Sequence, residues 1–222
     1  MAGKLLYRIA KAPFMGWLVG ASFRYFGRIL PVKRVYIDRD VIAFRHPRPA
    51  YDDHIILSPR RAIADLREMA SVSGGAYFAG IWRAKEAIRR ALPAYGGSFT
   101  LAANGGKRQE VGQVHFHMFT GHDMVSGRDG SGPDGTEVYR DASVRACLHP
   151  APEWEFHCMV RPAGFFPADG NARSDYFAGV LRAVDALCAE NEIVQRGYTL
   201  VCRCGADGGE CPVFHIVAGR KK

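Results

Sequence analysis

The stretch Gln113-Val114-His115-Phe116-His117-Met118-Phe119 alternates strictly between polar and apolar residues. That period predicts a strand with one face in a core. The other face is the unusual one. A plain half-buried strand carries Thr, Lys or Ser there, whereas this one carries Gln and two imidazoles. The alternation aims both rings the same way, about 7 Å apart along the strand. Two histidines so placed admit three chemistries. Imidazole is the commonest metal ligand. It is also a nucleophile for phosphorus, with a second ring donating a hydrogen bond. Both rings can equally be polar groups on a wet sheet face.

The residues upstream, Leu101 to Gly112, read as a strand, a Gly-rich turn and a second strand, and so as a hairpin. Asn104 falls at the end of the first strand, near the histidines. Earlier still, Arg34 to Arg45 reads as two strands around a turn at Asp38-Arg39-Asp40. His46 to Asp53 is a loop forced by Pro47 and Pro49. His54 to Pro59 is a buried strand. Arg60 to Met69 is a short helix, and Tyr77 to Leu92 a longer amphipathic one with Phe78, Ile81, Ala84, Ile88 and Leu92 on one face.

This order, with Asn104-Gly105, Gln109-Glu110-Val111 and the alternating His115 and His117, resembles the histidine triad (HIT) family. Gln113 stands where that family has its first histidine, and the turn is shorter. The resemblance implies an α+β fold and attack on phosphorus by the middle histidine, here His115. It implies that His117 and His54 stabilise the phosphate charge, with Asn104 and the backbone near Gln109 completing the anion site. Gln113 would still donate one hydrogen bond. The nucleotide would lie near Phe44 and His46, although His46 replaces the acid that usually holds the ribose. The implied substrate is a nucleoside monophosphate joined to a leaving group, and no cofactor or metal is implied. A non-catalytic nucleotide- or phosphate-binding protein is the alternative, and a structural subunit attached through its N-terminal arm is another.

The pattern then returns. His46 to His54 is echoed by His149 to His157, Tyr77-Phe78-Ala79-Gly80 by Tyr176-Phe177-Ala178-Gly179, and Phe116-His117 by Phe214-His215. Three ordered echoes predict an internal duplication. The expected result is two HIT-like units, residues 32–121 and 137–222, joined by an exposed linker at 122–136 into an intramolecular pseudo-dimer. The second unit is degenerate: Val213 falls at the place of His115, Cys211 at that of Gln113 and Cys202 at that of Asn104. Cys202, Cys211, His157 and His215 form a zinc set by ligand type, against which Cys202-Arg203-Cys204 also reads as small core filling.

The net charge is +8, and Lys4, Arg8, Lys11, Arg24, Arg28, Lys33 and Arg34 precede the first acid, Asp38. The basic excess therefore describes residues 1–31 as an arm, and a nucleic-acid-binding body is not expected. The arm is basic and aromatic. It reads as a helix on a membrane surface or protein partner, as a helix packed on its own body, or as a targeting segment. Its uncharged run, Ala12 to Phe23, is too short to span a bilayer. All six cysteines lie in the second half without a disulfide-scaffold spacing. A reducing, cytoplasmic setting and a monomer are the expectations.

Overall fold

The computed structural model describes residues 33–125, 135–166, 170–205 and 212–222. The arm expected at residues 1–31 lies outside them, as does Cys211. The fold is α+β: one large antiparallel sheet with a few helices. Ten strands run β1 (Arg34–Ile37), β2 (Val41–Arg45), β3 (Asp52–Pro59), β4 (Phe99–Gly105), β5 (Phe116–Thr120), β6 (Glu137–Arg140), β7 (Val144–Leu148), β8 (Trp154–Pro162), β9 (Tyr198–Cys204) and β10 (Phe214–Lys221). Among the described residues, four α-helices are α1 (Leu66–Ser73), α2 (Ala76–Ala91), α3 (Gly170–Glu190) and α4 (Ile193–Arg196).

The strand order is β1-β2-β3-β5-β4-β9-β10-β8-β7-β6. It reads the same from both edges inward and meets at the antiparallel β4–β9 pair. That central pair runs the whole of both strands, from Phe99 opposite Cys204 to Gly105 opposite Tyr198. Each half thus covers what would otherwise be an open edge of the other.

Period-2 alternation sorts the side chains onto two faces. Ile55 and Leu57, Phe116 and Met118, Cys158 and Val160, Phe214 and Ile216 join the helices in the main core. Phe78 of α2 sits against Phe177 of α3 with ring centroids 4.7 Å apart, so the helix layer is continuous across the middle. The repeated glycine has a packing reason. A Cβ at Gly80 would approach Val41 to 3.2 Å, and one at Gly179 would approach Val144 to 2.9 Å. On the opposite face a smaller cluster gathers Ala102, Phe119, Val125, Val201 and Val217.

Four expectations are corrected. The alternating stretch becomes regular strand only at Phe116, because Gln113 turns away to bond the loop after β3. β3 begins at Asp52, before His54. The helix expected from Arg60 starts at Leu66, where Asp65 caps it: the Asp65 carboxylate accepts from the Glu68 N–H at 2.8 Å, and Glu68 accepts from the Ala64 N–H. That Asp-x-x-Glu pair is a variant of the capping box in which the Glu reaches one residue beyond the cap. Finally, the stretch read as exposed linker is not exposed throughout: His122 and Asp123 are exposed, but Val125 is only 2% exposed, in the cluster on the face away from the helices.

Candidate active site

Alternation puts His54 and Ile56 of β3, and His117 and Phe119 of β5, on the face away from the helices. The register sets His117 opposite Ile56 on one side and Ala102 on the other. Four imidazoles gather there. His46 stacks flat on His54, with centroids 4.2 Å apart and planes 7° apart. The His117 ring is 5.1 Å from that of His54, and the His115 ring meets it edge-on at 4.9 Å.

The hydrogen bonds fix which nitrogens carry protons. The Ala50 N–H donates to Nδ1 of His54 at 3.4 Å. A neutral His54 therefore carries its proton on Nε2, which donates to Nδ1 of His117 at 2.9 Å. His117 in turn keeps its proton on Nε2. His46 accepts the Arg48 N–H at Nδ1 (3.0 Å) and likewise has its proton on Nε2. His115 is the reverse. Its Nδ1 faces the carbonyl oxygen of Gln113 at 2.8 Å and must donate, leaving the lone pair on Nε2. One imidazole lone pair thus lies among rings whose Nε2 atoms bear protons.

Neutral rings are what the electrostatics favour. Burial, then the neighbouring charges of His46 and His115, holds His54 down at about 4. Burial is also the leading cause for His117, well below the usual histidine range, and for the lowered His46 and His115. Nitrogens of His46, His54 and His117 lie within 4.8 Å of one another, a donor set of the right type for a cation. The proton shared by His54 and His117 commits two of those nitrogens to each other.

The other expected residues divide. Phe44 is on the histidine face and buried, 6% exposed. Asn104 is the penultimate residue of β4, and its Oδ1 accepts from the Thr199 hydroxyl at 2.9 Å. Gln109 and Gln113 do not stand with the histidines. The Gln109 amide donates to the carbonyls of Ala64 and Val111 (2.5 and 2.8 Å). Gln113, 1% exposed, accepts from the Ile63 N–H at 3.3 Å and donates to the carbonyls of Pro59 and Arg61 at 3.3 and 3.0 Å. Both are clamps on the segment between β3 and α1.

Arg108 is a member that the sequence did not single out. Its guanidinium donates to Thr199 Oγ1 at 3.1 Å and to the Gly219 carbonyl at 2.5 Å, and lies 5.0 Å from the Trp154 ring. The turn bearing Asn104 is therefore keyed to the second half of the chain.

The second half carries His149, His157 and His215 in the same arrangement. The mixed zinc set is corrected. Cys202 lies in the helix-side core, on the opposite face from His157 and His215, and Cys211 is outside the described residues. The register also moves the correspondence. Val201 pairs with His215 as Ala102 pairs with His117, so Asn104 answers to Arg203 and not to Cys202.

Known proteins resemble this chain in sequence and in fold. The HIT domain family matches residues 29–124. An uncharacterised 13.2 kDa HIT-like protein of Azospirillum brasilense is 30% identical over 102 residues, covering 43% of this chain and 84% of the relative. A GalT-like protein from Arabidopsis thaliana has a similar fold, with a TM-score of 0.62 at 8% identity over 90% of this chain and 82% of that one. An ADP-glucose phosphorylase from Arabidopsis thaliana, solved with bound ADP-glucose, has a TM-score of 0.62 at 7% identity over 90% of this chain and 80% of that one. At these identities the likeness to the two structures is one of fold.

Proposed function

The chain belongs to the HIT family, and from that premise we propose that it is a nucleotide phosphohydrolase or nucleotidyl transferase with His115 as nucleophile. The observation that carries this reading is the Nδ1 contact of His115 with the Gln113 carbonyl at 2.8 Å, which leaves the lone pair on Nε2. The substrate is a nucleoside monophosphate joined to a leaving group, a class to which the ADP-glucose of the Arabidopsis phosphorylase also belongs.

In the first step Nε2 of His115 attacks phosphorus. The N–P bond forms as the bond to the leaving group breaks, and the leaving group departs with that electron pair. His117 and His46, protonated on Nε2, donate to the phosphate oxygens as charge develops on them. Water, or the hydroxyl of a second acceptor, then attacks phosphorus and loses its proton to solvent; the O–P bond forms as the N–P bond breaks, and that pair returns to Nε2. His54 holds His117 in the donating tautomer. Gln113 supplies its carbonyl to His115 and its side chain to the neighbouring loop, so it acts by positioning. Asn104, buttressed by Thr199, and the backbone near Gln109 shape the turn beside the phosphate. Phe44 and His46 flank the nucleotide.

The matching strand order and histidine geometry of the two halves support reading them as copies that form a pseudo-dimer within one chain, so that a monomer suffices. Attachment to a membrane surface or protein through residues 1–31 rests on their basic and aromatic composition. Among the described residues, no helix is long and apolar enough to cross a membrane.

The test is turnover of a panel of adenylated and guanylated compounds by wild type and His115→Ala. Release of nucleoside monophosphate by wild type alone supports the proposal. Binding without turnover in both proteins moves the function to a non-catalytic nucleotide binder.

A further inference from the structure

His149, His157 and His215 repeat the first cluster bond for bond. The His157 Nε2 to His215 Nδ1 distance is 2.9 Å, the His149 and His157 rings stack at 4.2 Å, and the His149 and His215 rings are 6.0 Å apart. The corresponding distances among His54, His117 and His46 are 2.9, 4.2 and 6.0 Å. The backbone donors are repeated too. Ala151 N–H donates to Nδ1 of His149 at 3.1 Å and Glu153 N–H to Nδ1 of His157 at 3.3 Å. The same proton logic therefore puts hydrogens on Nε2 of His149 and on Nε2 of His215. His157 and His215, each 2% exposed, are kept as mutually hydrogen-bonded polar groups at positions where apolar side chains would need no partner.

Two positions differ. Val213 stands where the first cluster has His115, so the lone pair is gone. Arg161 stands where the first has Ser58, each four residues after the histidine of its strand. Alternation sets Arg161 on the same face as His157. Its guanidinium reaches the Met159 sulfur at 3.4 Å, and its charge bears on His149. A neutral hydroxyl has been exchanged for a fixed cation beside imidazole donors. A fixed cation disfavours a metal ion there and favours an anion.

We infer that the cluster of His149, His157, His215 and Arg161 binds a phosphate-bearing ligand and does not cleave it. The inference rests on the phosphate reading of the first site. The second site would sense or store substrate or product while His115 works on the other cluster.

Calorimetric titration of the full chain, in chelator-treated buffer, with inorganic phosphate and separately with adenosine monophosphate tests this. Two sites are expected for wild type with at least one probe. Binding of both probes identifies phosphate as the recognised group, and binding of the monophosphate alone identifies a nucleotide. Arg161→Ser should weaken one site tenfold or more, Arg161→Lys should largely preserve it, and His117→Ala should remove the other. Circular dichroism confirms that each variant is folded. If Arg161→Ser binds as wild type does, or if His117→Ala abolishes all binding, this inference fails and the first-site reading stands. If wild type binds neither probe, both fail. Stoichiometric zinc binding lost in His149→Ala, with no second phosphate site, would replace the anion by a metal.

Discussion

Arg108, in the turn after β4, donates to Thr199 Oγ1 at 3.1 Å, and Thr199 donates in turn to Asn104 Oδ1 at 2.9 Å. A residue of the second half thus holds the end of the strand that frames the first histidine cluster. Arg108→Ala removes two charge-assisted bonds and leaves the Gly219 carbonyl without this donor. The expected cost is about 1.5–3 kcal/mol in urea unfolding, with reduced turnover because the turn loses its buttress. An unchanged midpoint and unchanged turnover would show that the two halves are energetically independent here.

Gln113 offers a second check, since binding and positioning predict different readouts. Gln113→Ala leaves the buried Ile63 N–H without its acceptor. A loss of about 1–3 kcal/mol in stability is expected, together with lower activity. A variant of full stability whose only defect is weaker substrate binding would return Gln113 to the direct substrate contact that its place in the motif suggested.

How far the sequence reached follows from such residues. Periodicity exposed α2 and the face of His117, and a short apolar run exposed β3 from His54 onward. The pairing of His46 with His54 was legible as a spacing, yet the stacking was not, because it depends on backbone N–H groups of a Pro-rich loop folding back on both rings. The place of the Gln113 side chain does not follow from alternation, because regular strand begins at Phe116 and tertiary hydrogen bonds override the pattern before it. The start of α1 does not follow from its apolar stripe, because it is set by the Asp65 cap, whose carboxylate accepts the Glu68 N–H. Arg108 was invisible for a different reason: its partners are about a hundred residues away, and only the β4–β9 register brings them together.

Acidification should destabilise the fold. Burial holds His54 at about 4 and His157 at about 3, whereas both titrate near 6.5 in the unfolded chain. Below pH 6.5 the unfolded chain takes up protons that the native chain refuses, so stability falls as pH falls towards 4. The slope is at most about 1.4 kcal/mol per pH unit for each such histidine. Above pH 6.5 these two groups contribute no pH dependence. Denaturant midpoints measured from pH 4 to 8 check the sign, and a flat profile below 6.5 would mean that the rings are charged in the native state.

The nucleophile is the central claim, and an acid-labile adduct on one ring tests it most directly. Wild type is mixed with an adenylated compound that it turns over, quenched in base within a single turnover, and digested for mass spectrometry. The expected result is an adenylyl mass increment on His115, absent in His115→Ala and accumulating in His117→Ala, where its hydrolysis is slowed. Turnover with an adduct on His117 instead, or with no protein adduct at all, would contradict the account.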